Sequence, residues 1–246
     1  MRARIIIMVA YGLFIFLAGV NVVNAAALGL SPVRVTLSEN QKIGTLFVRN
    51  DGTEPMPMQM EVMSWTQKEG EDVYTATREV LANPPIFTVP VGGSQLVRLG
   101  LRRAPNAQLE RSYRIFLQEL PSPPSSDFNG AKMLMRVSIP VFVLPKVTTK
   151  PTLSWKAVRT SDDGLKISLN NSGNVHVQIV NFSLSQPGSA QPLITQQSAS
   201  YVLPGQSRDW IVPNILKNTS STLGATIQLI AQTDAGEVEA EVIIAP

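Results

Sequence analysis

A single histidine, eighteen carboxylates and no cysteine leave this 246-residue chain few sites for catalysis. His176 lies in Asn174–Val180, which alternates with period two. That places it opposite Val175 and Val177 and reads as a surface histidine. One histidine excludes His-rich metal sites and a choice of Ser-His-Asp triads. Asp162 and Asp163 precede Gly164 in a turn, where Asp is favoured because its side chain bonds its own backbone. Gly92-Gly93 stands in VPVGGSQ, a turn ahead of a strand rather than a strand-to-helix phosphate cradle. Paired cysteines, a nucleophile elbow and a metalloprotease helix are all missing. These residues predict a protein that is not an enzyme, with no cofactor and no metal.

The other chemistry the sequence offers is non-covalent. Residues 131–145 read AKMLMRVSIPVFVLP. The odd positions Ala131, Met133, Met135, Val137, Ile139, Val141 and Val143 form one unbroken apolar row. The even positions Lys132, Leu134, Arg136, Ser138, Pro140, Phe142 and Leu144 are mixed. In a strand, alternate residues share a face, so the row either fills the protein's own core or is offered to a partner. Leu134, Phe142 and Leu144 on the even face could serve the internal core, leaving the odd row outward. Pro140 removes a ladder donor and marks an edge, bend or bulge. The loop before it, PSPPSSDFNG, is polar and proline-rich.

The elements that must position these residues are strands. Short runs rich in Val, Ile, Leu and Thr alternate with Gly, Pro, Asn and Asp: GTLFVRN, MQMEVMSW, QLVRLGL and SYRIFLQEL, then LSWKAVRT, LKISLNN, VHVQIVNFSLS and ATIQLIAQT. This density of strands predicts β-sandwiches; no long amphipathic helix is evident. Trp65, Trp155 and Trp210 fall in strand patterns that predict core or edge packing. The first 25 residues, with Arg2, Arg4, an apolar stretch from Ile5 to Val20 and Val23-Asn24-Ala25, read as a signal peptide. Residues 26–147 and 148–246 read as two domains. They are joined at LPKVTTKP, where flanking prolines make a semi-rigid linker and fix a cleft. No later segment is long and apolar enough to span a membrane, so the mature chain is expected to be exported without membrane insertion. A net charge of +3, part of it in the signal peptide, does not suggest nucleic acid as a partner.

The order of motifs resembles the periplasmic pilus-assembly chaperones of the chaperone–usher pathway, in an archaic-like branch. It is carried by LGLSPVRVTLSENQKIGTLFVRNDG, with an Arg in its first strand, by NPPIFTVPVGGSQLVRLGL and by ERSYRIFLQELP. AKMLMRVSIPVFVLP, NNSGNVHVQIVNFSL and YVLPGQSRDW complete the set. The resemblance implies an all-β fold of two immunoglobulin-like sandwiches set as an L around a cleft. It implies that the chain captures pilus or fimbrial subunits in the periplasm and delivers them to an outer-membrane usher. In that family the last strand of the first domain is lent to an incomplete subunit. On the proline-anchored alignment the donor residues are Ala131, Met133, Met135 and Val137, with Ile139 continuing the row. An exposed edge of this kind also opens a route to self-association.

The resemblance further implies that Arg34 anchors the subunit's C-terminal carboxylate, through the paired hydrogen bonds a guanidinium can offer. The family's second anchor, a Lys, falls on Pro140; Arg136, four residues earlier on the same strand face, is the candidate substitute. The family's interdomain salt bridge falls on Leu144 and Arg111, so both partners have changed; Arg111, Arg114 and Glu119 could form another network. The rival reading is a structural pilus subunit or surface adhesin. A free alternating N-terminal extension would favour it, but AALGLSPVRV enters a strand almost at once. Which subunit, usher or pilus type is served is not encoded in any motif.

Overall fold

The computed structural model describes residues 28–121, 133–162, 164–189, 191–213 and 224–245. The proposed signal peptide and Ala131 lie outside them. The chain first forms β1 (Leu28–Ser31), β2 (Val35–Leu37), β3 (Ile43–Asn50), β4 (Met56–Lys68), β5 (Glu71–Ala76), β6 (Val80–Asn83), β7 (Ile86–Val89), β8 (Ser94–Leu101), β9 (Arg111–Glu119) and β10 (Arg136–Val143). These build two facing sheets, β1-β3-β8-β6 and β2-β10-β9-β4-β5, with β7 also paired to β4. A second set follows: β11 (Leu153–Arg159), β12 (Leu165–Asn171), β13 (Val177–Ser185), β14 (Ile194–Val202), β15 (Ser207–Val212), β16 (Thr226–Thr233) and β17 (Gly236–Ala245). They form one sheet, β14-β13-β16-β17-β11-β12-β15. It folds over a core of its own, because β17 and β11 pair through only two residues on each strand.

Alternation explains both cores. In β3 every second residue is buried, and β12 alternates likewise. The first core gathers Leu37, Leu46, Val48, Met58, Val97, Leu99, Ile115, Leu117, Ile139 and Val141. The second gathers Ile167, Leu169, Ile179, Phe182, Leu184, Leu229 and Ile244 around a periphery that includes Trp155 and Trp210. All are apolar side chains, each of which stabilises the fold by ~1.5–3 kcal/mol on full burial. The expected first strand is broken by Pro32, so β1 joins one sheet and β2 the other.

The two halves share a clamp. Fully buried Asn50 ends β3 and donates to the carbonyls of Glu54 and Val89 at 2.7 and 3.1 Å, while its Oδ1 accepts from Gly52 N–H at 2.9 Å. Fully buried Asn171 ends β12 and donates to Val175 and Val202 carbonyls at 2.9 and 3.1 Å, accepting from Gly173 N–H at 3.0 Å. In each half one amide ties a strand end to the loop that follows it and to the end of a second strand, which satisfies backbone groups that would otherwise be buried without partners.

A third apolar cluster lies between the halves. Trp65 and Phe142 come from the first, Leu203 and Tyr201 from the second. The Gln67 amide stitches across the same joint, donating to Tyr201 O at 2.9 Å and accepting from Leu203 N at 3.0 Å.

Candidate functional site: the free edge of β10 and the interdomain cleft

β10 runs antiparallel to β9 along its whole length, from Arg136 opposite Gln118 to Val143 opposite Arg111. On its other side it pairs with β2 only at Val141, Phe142 and Val143, in parallel. Glu119 N–H donates to Met135 O at 2.8 Å, so odd positions turn their backbone groups toward β9. Leu144 N–H donates to Leu37 O at 2.9 Å, so even positions turn theirs toward β2. Between Arg136 and Pro140 that second side has no strand among the described residues. Pro140 lies at an even position, where its missing N–H costs the β9 ladder nothing, as is usual for edge prolines.

The side chains change environment along β10. Val141 and Val143 are fully buried and Ile139 is 2% exposed, all within the first core. Val137 and Met135 are half-buried, and Met133 is 92% exposed. The odd row is thus one continuous face that leaves the core and runs past the end of the sandwich. This corrects the expectation for the two faces. From residue 139 onward the odd face is the protein's own core, so Ile139 is not on offer to a partner. Leu134 on the even face is 42% exposed, and Phe142 packs against the second half.

Arg34 lies in the connection between β1 and β2, not within a strand. Its guanidinium reaches across the cleft to Asp234, Nη1 to Oδ2 at 2.5 Å. It stands one residue before Val35, which pairs with Val141. Arg136 is exposed over the Phe116 ring, its Cζ 4.7 Å from the centroid. It precedes the level of Pro140 by four residues, roughly 13 Å along the strand. The structure therefore does not bring Arg136 to Arg34.

Opposite Pro140 on β9 stands Arg114. Its Cζ is 4.0 Å from the centroid of the Trp65 ring and 5.4 Å from that of Tyr201. Its Nε is buried without a hydrogen-bond partner. Burial raises the pKa of the Tyr201 hydroxyl above its ordinary value, while Arg34 and Arg114, both close by, pull it back.

His176 is not a surface histidine. It lies just before β13, 9% exposed by side chain, stacked on Phe142 with ring centroids 3.5 Å apart. Nδ1 meets both oxygens of Glu110, whose side chain is fully buried, at 2.8 and 2.9 Å; the His176 N–H also donates to Glu110 Oε1 at 3.2 Å. Nε2 faces Asp234 Oδ2 at 3.6 Å, too long for a hydrogen bond but within charge contact. Burial lowers the histidine's pKa, yet the two carboxylates outweigh it and the net shift is upward. Burial likewise opposes the charge on Asp234, and His176, the Gln178 N–H and Arg34 reverse it, holding the carboxyl far below its usual range. Glu110, His176, Asp234 and Arg34 thus form an alternating chain of charges across the joint. The network suggested for Arg111, Arg114 and Glu119 does not form. Arg111 and the Tyr113 hydroxyl meet Glu79, while Glu119 accepts from Met135 N–H at the far end of β9.

Among the described residues no group of His, Asp and Glu is placed to hold a metal. The cleft offers aromatic faces and guanidiniums, beside an open strand edge with an apolar row. Such a surface binds extended polypeptide: main-chain bonds give affinity, and side-chain pockets give selectivity.

Comparison with known proteins agrees with this geometry. No curated protein matches the chain. A chain from the CsuC–CsuE chaperone–tip adhesion subunit pre-assembly complex of the archaic chaperone–usher Csu pili of Acinetobacter baumannii superposes with a TM-score of 0.66 at 20% identity, covering 90% of this chain and 100% of that one. A chain from the Salmonella enterica SafA pilin–SafB chaperone complex gives 0.60 at 16% identity, covering 89% and 97%. The E. coli chaperone DraB gives 0.57 at 20% identity, covering 87% and 98%. At these identities the likeness establishes the two-sandwich fold. Residues 27–149, half of the chain, match the model for the pili and flagellar-assembly chaperone family, PapD N-terminal domain, and the chain therefore belongs to that family.

Proposed function

We propose that this family member is a periplasmic chaperone that holds pilus subunits by lending them β10 and its N-terminal continuation, and passes them to an outer-membrane usher. The free edge of β10 between Arg136 and Pro140 carries the reading. A subunit strand laid along that edge gains the main-chain bonds that β2 makes further on. Met133, Met135 and Val137, with Ala131 beyond the described residues, would enter the subunit's open groove. Flexible thioethers suit grooves of differing shape. Because Met133 is exposed while Met135 and Val137 are already half-buried, burying the three contributes about 3–6 kcal/mol, against association costs of ~4–15 kcal/mol. That balance suits a hold firm enough to protect a subunit and weak enough to release it. Arg34 stands where the docked strand must stop, because β2 occupies the slot from Val35 onward. A structural-subunit reading is less favoured: β1 pairs with β3 inside the first sandwich rather than extending free.

The test is periplasmic co-expression with candidate pilus subunits. Met133→Asp combined with Met135→Asp is expected to leave the melting temperature within about 2 °C, because Met133 is exposed and Met135 half-buried, while recovered subunit falls at least tenfold. Unchanged recovery would remove the donor-strand reading.

A further inference from the structure

The core-facing row of β9 ends in an acid. Tyr113, Ile115 and Leu117 on that row are at most 1% exposed, and Glu119 closes it at 7%. Glu119 stands opposite Met58 of β4, which is fully buried in the first core. On its other side the register of β9 with β10, Gln118 opposite Arg136, brings Glu119 level with Met135. The two residues are joined twice. Glu119 N–H donates to Met135 O at 2.8 Å, and Met135 N–H donates to Glu119 Oε2 at 3.3 Å. An antiparallel pair of this kind ordinarily returns its second bond to a backbone carbonyl; the side-chain carboxyl takes that place. One residue on, Leu120 N–H turns to Pro57 O at 2.8 Å, so the chain has left β10 for β4. Glu119 thus meets the apolar row at its boundary, where Val137 and Met135 are half-buried and Met133 is exposed.

We infer that Glu119 is a positioning residue for strand docking: its carboxyl holds Met135 from the β9 side, so that Met133, Met135 and Val137 stay extended and uncovered for a partner. This rests on the docking reading above and deepens it by naming the group that presents the row. The bond to Met135 N–H fixes the peptide groups on either side of it. Leu134 and Arg136, at even positions, then turn their backbone groups to the open slot, because successive residues of a strand alternate. A segment held extended beforehand loses less freedom when a partner docks. The same side chain also ends the core. A carboxyl resists being covered by apolar groups. With one closing the β9 row, the buried part of the β10 row stops at Ile139, and Met135 and Met133 are not drawn down over Met58. A leucine at 119 would continue the core and favour that collapse. Glu119 does not itself meet the docked strand; it acts through Met135.

The test joins the co-expression assay to backbone amide exchange, read by NMR on the purified chaperone. In wild type the Met135 amide is expected to exchange about tenfold or more slowly than that of Arg136, whose N–H faces the open slot. Glu119→Ala removes the acceptor. Met135 exchange should then rise about tenfold while that of Ile139 stays unchanged. Recovered subunit should fall about tenfold, the order expected when one backbone residue must be ordered again on binding. Glu119→Gln keeps an acceptor oxygen in the same place and should stay within about twofold of wild type in both readouts. Glu119→Leu is expected to keep or raise the melting temperature yet lose capture as Glu119→Ala does; a merely structural role would not separate stability from capture. Full capture with a folded Glu119→Ala or Glu119→Leu, or an equal loss with Glu119→Gln, overturns the inference. Should neither Glu119→Ala nor Glu119→Leu fold, Met135 exchanging as fast as Arg136 in wild type overturns it, and protection of Met135 that Glu119→Gln retains supports it. If a folded Met133→Asp, Met135→Asp chaperone still captures subunit, the docking reading has failed. If that variant loses capture while Glu119→Ala retains it, only the positioning role has failed.

Discussion

At the scale of single residues, the joint depends on a histidine held between two acids. Glu110 is fully buried, so removing its partner strands a charge. His176→Gln is expected to cost about 3–5 kcal/mol in urea unfolding. The pH dependence has a definite sign. His176 titrates above its ordinary 6.5 in the folded protein. Its contribution is therefore complete below about 6.5 and is lost as pH rises through the higher folded value. Unfolding curves at a series of pH values from 6 to 9 should show a decline in wild type that His176→Gln lacks; parallel pH profiles would contradict the assignment. Asp234 works in the opposite direction. Its pKa is depressed, so its contribution is present above about 3.8 and disappears only in stronger acid. Phe142, fully buried beneath the imidazole, completes the stack. Phe142→Ala should cost about 3–5 kcal/mol by calorimetry.

At the scale of elements, the apolar row of β10 has two environments, and the boundary falls between Val137 and Ile139. Charge scanning along it should give a step rather than a slope. Met133→Asp is expected to leave stability unchanged, because the side chain is almost wholly exposed. Ile139→Asp puts a carboxylate in the core and should abolish the folded state or lower its melting temperature by more than 10 °C. Thermal melts of the two variants decide where the exposed part of the row ends and the core begins. The paired asparagine clamps are the other element-level device. Asn50 holds its loop and the end of β7 through three hydrogen bonds, and Asn171 holds its loop, the end of β14 and Thr152 N–H through four. At ~1 kcal/mol per bond, plus the cost of carbonyls left unmet, Asn50→Ala and Asn171→Ala should each destabilise by about 2–4 kcal/mol in denaturant titration.

At the scale of the whole molecule, the angle of the cleft is set by apolar, polar and backbone contacts together. The linker is tied down: Lys150 N–H donates to Asn174 Oδ1 at 2.9 Å, and Asn174 Nδ2 donates to Thr148 O at 2.9 Å. Gly173 is needed for that approach, since a Cβ there would stand 2.3 Å from Lys150 O and 2.6 Å from Thr152 N, both backbone atoms. Gly173→Ala must push linker and loop apart, at about 1–3 kcal/mol. It is expected to weaken subunit capture while leaving both sandwiches folded. Small-angle scattering would read any change in the angle between the halves.

The all-β class and the apolar row of 131–143 were legible from the sequence, because strand periodicity is a local property written in alternate residues. So was an interruption of the ladder at Pro140, which follows from its missing N–H; that it is an edge rather than a bend or bulge came from the pairing of β10. The environment of each face was not legible. Ile139 and Met133 look alike in a period-two pattern, and only the length of the facing sheet decides that one is covered and the other is not. His176 read as a surface residue because its burial comes from Phe142 and Glu110, which lie 34 and 66 positions away in the chain. Arg114 and Pro140 are likewise 26 positions apart, and antiparallel register alone makes them neighbours. Local chemistry determined which segments are strands and which row is apolar. The tertiary structure decided which charges meet in the cleft, because a charge's partner depends on distance through space and not along the chain.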